Sequence, residues 1–166
     1  MNGASILRFA VLFRKGQIAG LLAISLSGCG GKGPTEGKSV AELEAMLRNG
    51  DATTQAQGAL GLAKLGPGAA VAAPALTESL ASQSSLVRQN AALALGEIGP
   101  DSKAAVPALV GVLSDAAWEV RRAAAVALGT IGPDAKVAEK ELEKLARDTN
   151  SLVQKAAKEA LRRIHG

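Results

Sequence analysis

From Val40 to Ile164 the apolar residues of this chain keep helical spacing and then repeat it. Val120, Ala124, Ala127, Leu128 and Ile131 fall at i, i+4, i+7, i+8 and i+11, one stripe of an α-helix of about 3.6 residues per turn. The stripe recurs at a constant step of 33 residues. Val87, Val120 and Val153 share one position, with Thr54 in a weaker first copy; Leu62, Leu95, Leu128 and Leu161 share a second; Leu65, Ile98, Ile131 and Ile164 share a third. Another helical pattern precedes each stripe. Its columns are Val40, Ala73, Val106 and Glu139; Leu43, Leu76, Leu109 and Leu142; and Leu47, Leu80, Leu113 and Ala146. Each copy therefore predicts a pair of helices, and four copies follow at about 40–66, 69–99, 102–132 and 135–165.

The punctuation agrees with this periodicity. Gly66-Pro67, Gly99-Pro100 and Gly132-Pro133 follow the second helix of their copies, where a residue of left-handed conformation closes a helix and proline prevents its continuation. Pro74 and Pro107 stand near the starts of first helices, where the missing N–H costs least. No alternating strand pattern occurs, so the expected class is all-α. A single pair has too little apolar surface to fold alone, but stacked pairs bury both sides of every internal unit, giving a short α-α superhelix, a solenoid of about four two-helix repeats. Alanines at 91, 92, 94, 123–125 and 127 let helix axes approach closely. The first helix of the last copy carries Lys136, Glu139, Lys140, Glu141, Glu143, Lys144 and Arg147, as expected of a cap facing water.

Neither the Thr-Pro-Leu-His signature of ankyrin repeats nor the aromatic positions of tetratricopeptide repeats can be placed at this 33-residue period. The segments Val87–Pro100 and Val120–Pro133, with Ala105-Val106-Pro107-Ala108-Leu109 between them, closely resemble short HEAT repeats of the phycobilisome-lyase type. The resemblance spans about Val40 to Ile164 and weakens at the ends, where Ala41 and Lys140 replace the proline and Gln154 the arginine. It implies that Asp115 and Asp148, just before second helices, and Arg88 and Arg121, just inside them, make structural contacts between repeats.

The first 28 residues read as an address. Arg8, Arg14 and Lys15 make the start positive, Ile18 to Leu26 form a short apolar stretch, and small residues precede the chain's one cysteine. The cations interrupt the run before it reaches the ~20 apolar residues needed to span a bilayer. Leu26-Ser27-Gly28-Cys29 resembles the lipobox of bacterial lipoproteins, which implies cleavage before Cys29 and acylation of its thiol. A conventional signal peptide with an incidental cysteine is the alternative. By the same resemblance, Gly30 in place of aspartate implies outer-membrane delivery, facing the periplasm, if the cell has two membranes. Residues 29–39, rich in glycine and charge, are expected to form a flexible spacer, leaving 40–166 as the repeat domain.

The formal charge of +4 includes three cations of the signal, leaving 16 basic against 15 acidic residues. Nucleic-acid binding is therefore not expected. With its only cysteine committed to lipid, the chain has no internal disulfide available. Gly37-Lys38-Ser39 resembles the end of a phosphate-binding loop but has Lys32 where that loop needs glycine. A catalytic or metal site has little to draw on: the one histidine, His165, is next to last, tyrosine is absent, and the acidic residues are scattered among lysines and arginines. No cofactor, metal or small-molecule substrate is expected.

Trp118 is open to two readings, since its aligned positions hold Ser85 and Ser151: packing at the turn between helices, or contact with a partner. Arg88, Arg121 and Arg122 are the other candidate partner-binding residues. The expected function is a lipid-tethered, extracytoplasmic scaffold that binds a protein partner without catalytic activity of its own. The alternative, carried by the resemblance, is a subunit of a bilin-chromophore lyase.

Overall fold

In a computed structural model that describes residues 33–166 of the 166-residue chain, four helix pairs stack in chain order. The first helices are α1 (Val40–Asn49), α3 (Ala73–Ser79), α5 (Val106–Gly111) and α7 (Glu139–Leu145). The second helices are α2 (Ala52–Leu65), α4 (Ser85–Ile98), α6 (Trp118–Ile131) and α8 (Ser151–His165). No strand occurs among the described residues, and the fold is an all-α solenoid.

The leucine columns form its core. Leu43, Leu76, Leu109 and Leu142 are buried, as are Leu62, Leu95 and Leu128 and the valines at 87, 120 and 153. The leucines and Val153 meet in one continuous apolar cluster running the length of the array. Departures occur in the end copies. Leu65 is 42% exposed, whereas Ile98, Ile131 and Ile164 in the same column are buried. Ala146 and Leu161 are only partly covered. An end unit has a stacked neighbour on one side only, so the same spacing buries less.

Three joints repeat. Gly66, Gly99 and Gly132 have φ of 54°, 75° and 79° with ψ near −132° to −140°. This is the mirror-image extended region rather than the left-handed helical one expected from the sequence, and it is open essentially to glycine. Instead of a plain turn, the chain then enters a seven-residue 3-10 segment: Gly66–Ala72, Gly99–Ala105 and Gly132–Ala138. Proline is its second residue each time, and the short first helix follows without a break. Buried Ala69, Ala72, Ala105, Ala135 and Ala138 tie these segments to the core. The apolar stretch Ala52–Ser79 is long enough to cross a membrane by composition, but it folds as α2, a 3-10 segment and α3 around Gly66.

Caps set the ends. Ser39 accepts the Glu42 N–H while the Glu42 carboxylate accepts the Ser39 N–H at 2.8 Å, a reciprocal box that starts α1. Asp51 accepts the Thr54 N–H at 2.7 Å, and Asn150 the Leu152 N–H at 2.9 Å. Pro34–Gly37, within the glycine-rich stretch, form a turn lying beside α2.

Candidate protein-binding face

Small residues bring the second helices together. A Cβ added at Gly96 would lie 3.0 Å from Ala127 Cα, and one at Gly129 only 2.8 Å from Ala160 Cα, so these backbones are nearly in contact. First helices are shorter and meet one another far less closely. Wedge-shaped units of this kind curve the array with the second-helix layer on its inner side. Ala59, Ala92 and Ala125 are buried toward the next repeat, and in α8 that position is the exposed Lys158. The following position runs Ala63, Gly96, Gly129 and then the exposed Arg162. The outer side of α8 is built for solvent.

The loops between paired helices are joined by an ionic ladder. Arg88 donates from Nε and Nη2 to the two Asp115 carboxylate oxygens at 2.6 and 2.8 Å, and from Nη1 to the carbonyls of Ser82 and Gln83. Arg121 repeats the arrangement one rung later, reaching Asp148 at 2.8 and 3.0 Å and the carbonyls of Asp115 and Ala116. Gln154 continues it with a shorter side chain, donating to the Asp148 carbonyl at 2.6 Å. Each aspartate also accepts a backbone N–H two residues on, from Ala117 or Asn150, and so helps start α6 or α8.

These four charged side chains are between 9% and 17% exposed, so the paired, two-pronged geometry is well shielded. Arginine hydrogen bonds hold the Asp115 and Asp148 carboxyls below the ordinary carboxylate range and raise the two guanidiniums above theirs, against the opposing effect of burial. The structure thus joins Arg88 to Asp115 and Arg121 to Asp148 across adjacent repeats.

Trp118 is the first residue of α6 and packs, partly buried, against the core cluster. Arg122 is exposed on α6 and has no ion-pair partner among the described residues. The sequence candidates do not converge on one place. His165 ends α8 with Nε2 3.2 Å from Glu139 Oε1, and no group of three metal-ligating side chains occurs among the described residues. Cys29 and residues 1–28, expected to form a signal, lie outside the described residues.

A different set of residues does converge. On α2, α4 and α6 the sides turned away from the first helices carry Leu60, Leu93 and Val126, again 33 residues apart. Leu60 and Val126 are each 39% exposed and Leu93 is partly exposed. They form an apolar row across three stacked helices. Where the row reaches α8 there is a small pocket of about 100 Å³ lined by Val126, Gly129, Ala156, Glu159, Ala160 and Arg163. Arg122, one turn before Val126, and Lys155, one turn before Glu159, stand on the same face. The row keeps the same 33-residue step as the core columns, so periodicity alone does not tell it from a buried stripe.

Residues 73–162 match the HEAT-repeat family. The chain belongs to that family. Among solved structures, this HEAT array is similar to an engineered protein at 30% identity and a TM-score of 0.67, over 76% of this chain and 62% of that one. A second engineered protein matches at 27% identity and a TM-score of 0.66, over 76% of this chain and 64% of the other. The HEAT chain therefore spans less than two thirds of the length of either. It is also similar to a chain in the complex of CpcE and CpcF of phycocyanin lyase from Nostoc, at 26% identity and a TM-score of 0.61, over 73% of this chain and 79% of that one. A designed armadillo repeat protein in complex with the peptide (KR)4 shares the fold at 22% identity, with a TM-score of 0.67, over 75% of this chain and 64% of that one. No curated protein matches.

Proposed function

We propose that this HEAT-repeat protein is a non-enzymatic scaffold that binds a protein partner on its second-helix face and is held at a membrane surface by lipid on Cys29. The observation that carries the binding half is the exposed apolar row Leu60–Leu93–Val126. Its members recur at one step on successive helices, whereas the core stripe already satisfies the fold. Solenoids offer extended surfaces of this kind. The chemistry of the described residues suits contact rather than turnover, since the charged groups with shifted protonation serve caps, the ladder or pairs within α8. The anchoring half rests on the sequence before Cys29. Two or three acyl chains, each adding about 0.8 kcal/mol per buried methylene, would tether such a domain stably.

The alternative reading, a subunit of a bilin-chromophore lyase, is favoured by the structural similarity to a chain of the CpcE–CpcF complex. Two measurements separate the readings. Cys29→Ala should release the protein from the membrane fraction and abolish labelling by a radioactive fatty acid; a variant that stays membrane-bound removes the anchor. Titration of the purified chain with a bilin should give no specific absorbance change, and a saturable spectral shift would favour the lyase subunit. Crosslinking through residues placed at Leu93 and Val126 in the native envelope should then capture a discrete protein.

A further inference from the structure

Several surface cations of the last two repeats are already engaged. Glu159 accepts Arg163 at 2.9 Å and also pairs with Arg162, Lys144 lies 3.6 Å from Glu141, and Arg121 is held in the ladder. Arg122 and Lys155 differ. They occupy equivalent positions on α6 and α8, both exposed, and neither pairs with an acid among the described residues. Two acidic side chains stand within a turn of them on this face: the half-buried Glu119 before Arg122, and Glu159, already taken up by Arg162 and Arg163, after Lys155. Beside the two cations lies the pocket whose apolar lining is Val126, Gly129, Ala156 and Ala160, with the paired Glu159 and Arg163 at its edge; its volume of about 100 Å³ suits one aliphatic side chain. From that pocket the apolar row leads back over Leu93 to Leu60.

Spacing limits what can lie along the row. Stacked helices stand about 8–10 Å apart, and in a polyproline-type extended chain residues three apart share a face at about 9.3 Å, three rises of 3.1 Å. We propose that this face takes an extended peptide segment with an aliphatic residue at every third position, one of them seated in the Val126–Ala160 pocket, and with carboxylates between them that meet Arg122 and Lys155. The inference rests on the scaffold reading above and adds the chemistry of the partner: apolar and acidic.

The test uses the purified full-length chain and three fluorescent nine-residue peptides built from Leu-Pro-Glu, Leu-Pro-Lys or Ser-Pro-Glu repeats, read by fluorescence polarisation. The Leu-Pro-Glu peptide is expected to bind saturably and to weaken as salt rises. Each of the other two should bind at least about tenfold more weakly, and R122E/K155E should cost the Leu-Pro-Glu peptide a similar factor. Both altered side chains are exposed, so circular dichroism should show the variant folded like the parent. V126S, at a half-exposed site, tests the pocket independently with an expected loss of about fivefold. The proposal is overturned if the Leu-Pro-Glu peptide fails to saturate by about 1 mM, if the Leu-Pro-Lys peptide binds as well, or if R122E/K155E folds and changes affinity by less than about twofold. Tight binding of the Leu-Pro-Lys peptide that V126S abolishes would leave the scaffold reading intact and sink the acidic chemistry. A positive bilin titration would sink the scaffold reading itself.

Discussion

Gly129→Ala sets two effects of known sign against each other. Alanine is the better helix former by about 1 kcal/mol, so helix propensity alone makes α6 more stable. Against this, the new methyl would lie 2.8 Å from Ala160 Cα and 3.1 Å from Ala160 Cβ. The obstacle is backbone, which no rotamer change relieves. Restoring an ordinary separation near 3.8 Å requires α8 to move outward by about 1 Å, and a gap of that size forfeits a quarter to a half of each dispersion contact it opens. The contacts at stake are those of Val153, Ala156, Ala157, Ala160 and Ile164, all buried on α8. Overpacking of this kind costs about 1–3 kcal/mol, so the net effect is a loss of up to about 2 kcal/mol. At roughly 3–4 °C per kcal/mol for a domain of this size, Tm falls by up to about 8 °C in thermal denaturation followed by circular dichroism. Because each repeat leans on its neighbours, amide exchange in α8 should accelerate more than in α2. Gly111→Ala is the control. Gly111 sits at φ −57° and a Cβ there meets nothing within 4 Å, so the same substitution should raise stability by about 0.4–1 kcal/mol. Should Gly129→Ala raise Tm as Gly111→Ala does, the close backbone approach between α6 and α8 is refuted.

The remaining expectations concern the ladder, the joints and Trp118. Asp115 and Asp148 have carboxyl pKa values lowered by folding, so their contribution is complete above the unfolded value near 3.9 and is lost as pH falls through the folded value. Tm should therefore hold between about pH 7 and 5 and drop below about pH 4, with Asp115→Asn losing stability at neutral pH and showing a shallower acid decline. Gly99→Ala forces a side chain into φ 75°, ψ −140°, and should cost about 1–3 kcal/mol by chemical denaturation although its Cβ meets nothing within 4 Å; an unchanged midpoint would contradict the strain argument. Trp118→Ser installs the residue found at 85 and 151 and should lower Tm by several degrees, about 1–2 kcal/mol of lost apolar contact. Unchanged Tm with lost partner binding would assign the ring to recognition instead.

The 33-residue step alone determined the helix pairs, the all-α class, the stacking and nearly every core residue, because a stripe at helical spacing states which side of each rod must leave water. It could not say how much an end copy would bury, and Leu65 and Ala146 lie in core columns yet stay partly wet because they lack a second neighbour. Nor did it foresee the 3-10 segments, whose glycine geometry depends on where the next pair must dock. The ladder residues were legible by resemblance, but only packing brought Arg88 onto Asp115, 27 positions away, at hydrogen-bond distance. The open row Leu60–Leu93–Val126 was present in the sequence as one more apolar column, indistinguishable by period from a buried one. Burial is a property of neighbours, and the neighbours of those three residues are fixed by the stacking of whole helices rather than by spacing within any one of them.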